Sequence, residues 1–203
     1  MTSFYFVRHG VTAHTPHKLS GWLPGISLSH DGRAEAEAAA ASLERVRLHA
    51  IFSSPLERTL ETAQTIAARQ AVDVTVSDGL GEVRYGRWTD RSYKSLRRTK
   101  LWDRVQHWPS GARFPDGESL IEVQARAIDE LERIRADYPR HRVCCVTHAD
   151  VIRLVVAHYL GVHIDLFQRI VIGPGSITVI SVGEDGPKVL GVNVPPLPVP
   201  TKA

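Results

Sequence analysis

Residues 4–7, Phe-Tyr-Phe-Val, are an unbroken apolar run that stops at Arg8-His9-Gly10. A short run with no polar alternation fits a strand buried on both faces, and such strands belong to parallel sheets covered by helices. No other stretch constrains the fold as much. Ligands of these sheets bind beyond the carboxyl ends of the strands, which is where Arg8 and His9 stand. Neutral imidazole is a nucleophile, and a guanidinium is a planar fork that grips phosphate or carboxylate. Gly10 removes a Cβ that would crowd a group approaching His9. These residues point to a phosphoryl site with a histidine nucleophile. A strand end carrying a solvated Arg-His pair is the plain alternative.

A chain of 203 residues, 43% hydrophobic and 23% charged, suits one α/β domain with at most a small cap and a core that needs no staples. The formal net charge of +3 is too mild to argue for a nucleic-acid protein. Cys144 and Cys145 are adjacent within an apolar run, 143–146, that reads as a buried strand. Sequence neighbours rarely form a disulfide, so inert core thiols are expected. No signal peptide is read at the start, and no apolar run approaches the ~20 residues of a spanning helix. A reducing, cytoplasmic compartment is the expectation.

Residues 11–29 carry Pro16, Gly21, Pro24 and Gly25 and read as a loop. Thr12 is close enough to His9 to offer its hydroxyl to the same anion. His14 and His17 lie three apart, but no carboxylate or cysteine nearby completes a metal set, so they read as loop histidines. A helix is predicted over 29–46, capped by Ser29 or Asp31, and a short strand over 50–53. Pro55 suits the first turn of the next helix. Arg58 also falls in that turn, where the helix dipole disfavours a cation. Beside the free N–H groups of a helix start it would make a strong phosphate site. Alternatively, it is exposed and paired with Glu57 or Glu61.

A strand is predicted over 72–76, then a glycine-rich loop over 78–88 containing Glu82. A carboxylate in such a loop is a general-acid candidate if the loop folds over the site, and a solvated glutamate if it does not. The segment 84–104 is strongly basic and interleaved with aromatic residues. Most such runs are solvated helix faces. A helical cap with a basic face and aromatic anchors would instead suit an anionic organic substrate. A long helix over 120–138 is predicted to bury Ile121, Ala125, Ile128, Leu131 and Ile134. The central strand 143–146 ends in Thr147-His148, a second strand finishing in an imidazole. A helix over 151–160 ends at Gly161, and a hairpin joins strands over 175–182 and 188–192. The organisation read from this pattern is one domain over 1–193, a cap segment about 84–116, and a flexible Pro-rich tail over 194–203. Three strand ends and the Glu82 loop would gather two arginines, two imidazoles and a carboxylate on one sheet edge.

The ordered pieces Val7-Arg8-His9-Gly10-x-Thr12, Ser53-Ser54-Pro55-Leu56-x-Arg58-Thr59, Glu82-x-x-x-Gly86-x-Trp88, Gly117-Glu118-Ser119 and Val146-Thr147-His148 with Ile152-Arg153 resemble the histidine phosphatase superfamily. The branch is the one containing cofactor-dependent phosphoglycerate mutases, and the resemblance covers about residues 4–182. It implies a three-layer α/β/α sandwich with a mostly parallel central sheet and a small helical cap. It implies that His9 attacks phosphorus, that Arg8, Arg58 and His148 hold the phosphoryl oxygens, and that Glu82 protonates the leaving oxygen and then activates water or a second hydroxyl. Thr12, Thr15 and the Ala149 position complete the implied substrate contacts. Arginines supply the charge that Mg²⁺ supplies elsewhere, so no metal and no cofactor is expected.

The chain departs from the mutase pattern in three places. Thr15 replaces an asparagine, Ala149-Asp150 follows the second histidine in place of a glycine, and the chain is shorter around the cap. The resulting expectation is a phosphomonoesterase acting on a small phosphorylated metabolite through a phosphohistidine. A mutase of the phosphoglycerate type is the alternative, favoured by the loop Lys18-Leu19-Ser20-Gly21-Trp22. A non-catalytic phospholigand binder comes third. No nucleic-acid or membrane partner is expected, and a homodimer is allowed.

Overall fold

The computed structural model describes residues 1–196. A six-stranded sheet forms the middle layer, in the order β3-β2-β4-β1-β5-β6. The strands are β1 (Thr2–Arg8), β2 (Ala50–Ser53), β3 (Val74–Val76), β4 (Arg142–Thr147), β5 (Ile177–Gly183) and β6 (Gly186–Val194). The first four in spatial order run parallel; β5 is antiparallel to β1, and β6 to β5. The helices are α1 (His30–Leu43), α2 (Glu57–Gln70), α3 (Tyr93–Leu96), α4 (Lys100–His107), α5 (Leu120–Asp137) and α6 (Ala149–Leu160). This is the three-layer α/β/α sandwich expected from the sequence, with a mixed, mostly parallel sheet.

The pleat sorts side chains to the two faces. Val7, Ile51, Cys144 and Val146 pack with Ala39, Ala40 and Leu43 of α1 and with Ala63 and Ile66 of α2. Phe4, Phe6, Phe52 and Cys145 pack with Leu131 and Ile134 of α5 and with Ile152 and Val155 of α6. The adjacent cysteines therefore face opposite layers. Both are free and buried, and burial holds the Cys144 thiol up at about 12.

Local signals explain most boundaries. Ser29 caps α1 by accepting from the Gly32 N–H, and Ser119 with Glu122 forms a reciprocal capping box on α5. Gly161 ends α6 with φ +66°. Several expectations need correction. Pro55 lies outside α2, whose N-cap is Leu56. The buried stripe of α5 is Leu120, Val123, Ala127, Leu131 and Ile134; Ile121 and Ala125 are exposed. Both stripes have helical spacing, and which one is buried depends on where the helix sits on the sheet. Gly10 also has a different reason to be glycine. A Cβ there would lie 2.2 Å from the Gly32 carbonyl oxygen, so Gly10 lets the β1 exit pass against the start of α1. Val194, predicted to begin the tail, closes β6; from residue 197 onward the predicted tail lies outside the described residues.

Candidate active site

Parallel register brings three strand ends level. Arg8 of β1 stands opposite Thr147 of β4, and Val146 of β4 opposite Ser53 of β2. The next residues continue the ladder: His9 N–H donates to the Thr147 carbonyl at 3.1 Å and Ser54 N–H to the Val146 carbonyl at 3.0 Å. His9, Ser54 and His148 thus become neighbours immediately past the sheet, although 139 positions of sequence, 148 − 9, separate the two histidines.

His9 is 6% exposed. Its Nδ1 lies 2.7 Å from the Gly10 carbonyl oxygen. A carbonyl can only accept, so Nδ1 carries the proton and the lone pair sits on Nε2. Burial, then Arg58 and Arg8, hold the imidazole well below the usual histidine range. The ring stays neutral, as a nucleophile must.

Arg58 is 1% exposed, which rules out the surface pairing with Glu57 or Glu61. Glu57 accepts from the Gly25 N–H and Glu61 from Arg33. The Arg58 guanidinium points inward: Nε donates to His9 Nε2 at 3.3 Å and Nη2 to the Gly21 carbonyl at 2.9 Å. Arg8 spends Nη1 on the Ile172 carbonyl at 2.7 Å. Among the described residues, Arg8 Nε and Arg58 Nη1 are buried without a hydrogen-bond partner. An orphaned buried guanidinium N–H is costly, and two beside one imidazole make a seat for an anion.

His148 is fully buried, with its ring centroid 5.1 Å from that of His9. Its Nε2 lies 2.8 Å from Ser54 Oγ, and its Nδ1 lies 3.4 Å from Arg58 Nη2 and 3.6 Å from Glu82 Oε2. Burial, then Arg58, His9 and Arg8, hold it well below the usual histidine range.

Glu82 closes the other side. Burial and the Asp150 carboxylate push its pKa up to about 7 against the pull of Arg58. Its loop is clamped from α5: Arg126 donates Nη1 to the Gly79 carbonyl and Nη2 to the Glu82 carbonyl, at 2.9 and 3.0 Å, while its Nε holds Glu118. Trp22 Nε1 donates to the same Glu82 carbonyl at 2.6 Å. Glu118 in turn accepts from the Arg84 N–H.

The cleft is walled by Arg8, His9, Thr12, Thr15, Arg58, Glu82 and Ala149 among others, so seven of the eight residues singled out in the sequence share one cavity. His148, the eighth, sits off the wall, against Arg58 and Glu82. Thr12 and Thr15 stand with their hydroxyls 3.3 Å apart. Ala149 is the first residue of α6, so its N–H has no partner within the helix. The basic run is elsewhere: Arg84, Arg87, Arg91, Lys94, Arg97, Arg98, Lys100 and Arg104 are all exposed and none lines the cleft. The idea of a basic cap face turned to substrate is therefore wrong. Of the aromatic anchors, Trp88 and Trp102 stack at 6.3 Å, whereas Trp108 is largely exposed. Among the described residues no cluster of three or more His, Cys, Asp or Glu is placed to hold a metal ion.

Sequence reasoning assigned no role to Ser54, Tyr85, Arg126 or Arg153. Asp150 accepts from Tyr85 Oη at 2.8 Å and from Arg153 Nη1 at 2.9 Å. The i, i+3 spacing of Asp150 and Arg153 was a readable signal. Arg126, a mid-helix arginine, offered none.

A family model described as "Histidine phosphatase superfamily (branch 1)" matches residues 4–195. The chain is 29% identical over 197 residues to Phosphoserine phosphatase 1 of Hydrogenobacter thermophilus, covering 96% of this chain and 93% of that protein. It is 29% identical over 164 residues to the probable phosphoglycerate mutase GpmB of Escherichia coli O1:K1, covering 79% and 76%. The solved structure of Bacillus stearothermophilus YhfR superposes with a TM-score of 0.90 at 25% identity, covering 96% of this chain and 98% of that one.

Proposed function

The chain belongs to branch 1 of the histidine phosphatase superfamily, and on that premise we propose that it is a metal-independent phosphomonoesterase acting on a small phosphorylated metabolite through a phosphohistidine at His9. One observation carries the reading: His9 Nε2 holds a lone pair beside the unpartnered N–H groups of Arg8 and Arg58. Phosphoryl transfer needs positioning and charge neutralisation more than covalent assistance, and two arginines meet that need.

In the first step His9 Nε2 attacks phosphorus. A P–N bond forms as the ester P–O bond breaks, and Glu82 gives its proton to the leaving alkoxide. A carboxyl raised to about 7 is still substantially protonated near neutrality, which suits that role. In the second step the Glu82 carboxylate takes a proton from water, the water oxygen attacks phosphorus, and the P–N electron pair returns to Nε2. Arg8 and Arg58 steady the phosphoryl oxygens, His148 backs Arg58 and Glu82 from behind the cavity wall, and Thr12, Thr15 and the Ala149 N–H stand at the periphery of the seat.

The mutase reading keeps support of its own. Lys18, Leu19, Ser20 and Gly21, from the loop that resembles the mutases, wall the cleft, and one relative is named a probable phosphoglycerate mutase. The two differ in whether water reaches the phosphohistidine. A phosphate-release assay without metal, over a panel of phosphorylated metabolites, separates them. 3-Phosphoglycerate is included and its 2-isomer monitored. Release that survives EDTA and is abolished by His9→Ala is expected. Isomer interconversion with little free phosphate moves the assignment to mutase, and phosphate affinity without turnover moves it to a binder.

The same reading treats residues 1–193 as one catalytic domain with a cap over 84–116. Two free buried cysteines favour a cytoplasmic setting. No helix among the described residues is long and apolar enough to cross a membrane. A homodimer remains part of the proposal, to be read by sedimentation.

A further inference from the structure

Resting on the phosphatase reading, we infer that the cleft continues into a second chamber that takes a ring-sized, hydroxylated leaving group, so that the substrate is a sugar phosphate and not a three-carbon phosphate. A second cavity adjoins the phosphate seat and shares five walls with it: Leu19, Tyr85, Tyr93, Asp150 and Arg153. Its volume is about 150 Å³. An apolar cavity of that size takes one benzene-sized ring. A glycerate carbon skeleton would leave it unfilled.

The lining specifies which kind of ring. Trp88, Trp102 and Phe114 supply flat apolar surface and are fixed by one another: Trp88 lies 6.3 Å from Trp102 and 5.3 Å from Phe114. Gln106 and Gln168, both half-buried, face the chamber from opposite elements, one on α4 and one in the short helical turn Ile164–Arg169. Asp150 and Arg153 stand side by side at the junction of the two cavities. Each Asp150 oxygen already accepts one bond, from Tyr85 or from Arg153, and each retains a second lone pair. Arg153 spends Nε on the Ile170 carbonyl and Nη1 on Asp150, which leaves Nη2 for a ligand.

An acceptor beside a donor matches a vicinal diol, in which one hydroxyl gives a proton and its neighbour receives one. A sugar ring has a CH-rich face for the aromatic wall and hydroxyl edges for Asp150, Arg153 and the two amides. A purely aromatic ring would leave those polar groups unused, and a short acid would not reach the tryptophans.

The test is titration calorimetry on His9→Ala protein, which binds without turning substrate over. The probes are glucose and mannose 1- and 6-phosphates, glycerol 3-phosphate and phenyl phosphate. At least one hexose phosphate is expected to bind about tenfold or more tighter than glycerol 3-phosphate. Adding Trp102→Ala, which removes the wall, or Gln168→Trp, which fills the chamber, is expected to cut that ratio below about threefold. Equal affinities overturn the inference. So does a ratio that survives both variants, or phenyl phosphate outranking every hexose phosphate. Phosphate release by the unmutated enzyme is measured in parallel. Release with no ring preference sinks the chamber alone; ring preference with no release from any ester sinks the phosphatase reading and leaves the chamber standing.

Discussion

The basic run of residues 84–104 and the pair Arg8 and Arg58 put the same chemistry under opposite conditions. In the run every cation is exposed to solvent. Several are further occupied on the surface: Arg84 lies over the Trp22 ring at 3.8 Å, and Arg87 reaches Asp116 at 3.1 Å. In the pair, burial strips water from two guanidiniums, lowers the pKa of both, and leaves one N–H group of each unmatched. An exposed cation attracts an anion through high dielectric and salt, whereas a desolvated one attracts it many times more strongly. Local charge density is thus a poor guide to an anion site. A cation held out of water at a folding cost is a better one.

Arg58→Ala is expected to lower kcat/KM by about 10³-fold, the scale of losing a preorganised donor to developing charge. Thermal protection by inorganic phosphate or vanadate should disappear with it. A loss smaller than tenfold would place Arg58 in the same class as the surface run.

The pH profile comes next. The proposed first step needs a protonated Glu82, whose pKa burial and Asp150 push up to about 7. The rate should therefore hold below pH 7 and fall about tenfold per unit well above it. The groups facing Glu82 are Asp150, Arg58, Arg8 and His148. Asp150→Asn removes a like charge, so the alkaline limb should move to lower pH. His9, held below the usual histidine range, keeps its lone pair as the pH drops, and an ordinary histidine limb near 6.5 would contradict this. A rate that rises steadily into alkali would remove Glu82 as the acid.

Arg126→Met tests a cation that holds the Glu82 loop by its backbone carbonyls and pairs with the Glu118 carboxylate. Arg126 is bonded to the Gly79 and Glu82 carbonyls, so loosening that loop should lower kcat about tenfold with little change in KM. Arg126→Lys, keeping one of the bonds, should recover part of it. Smallest of all, the double variant Arg97→Ala/Arg98→Ala should change kcat/KM less than about twofold, and stability by no more than about 0.5 kcal/mol per site. A larger kinetic effect at low salt only would give the run a steering role.

The site was legible where local pattern and chemistry disagreed. An apolar strand ending in Arg8-His9, an arginine in the wrong turn of α2 and a second strand ending in His148 each break a propensity rule, and broken rules mark functional positions. Where two local readings were both consistent, only contacts distant in sequence could choose. The stripe of α5 slipped from Ile121 to Leu120 for this reason, and the basic run faces water although its aromatic neighbours do not.

Residue pattern was enough for the alternation of strands and helices, the buried thiols, the Ser29 start and Gly161 end of two helices, and the candidate set of His9, Arg8, Arg58 and Glu82. Those follow from periodicity, propensity and side-chain chemistry, which act over a few residues. Packing set the rest. Arg126 reaches back 44 positions to hold Glu82, Asp150 meets Tyr85 across 65, and a tryptophan-lined cavity opens beside the cleft of Arg8, His9 and Arg58. Sheet register and burial create such neighbours, and a linear pattern carries no information about which of two satisfied alternatives the packed core will select.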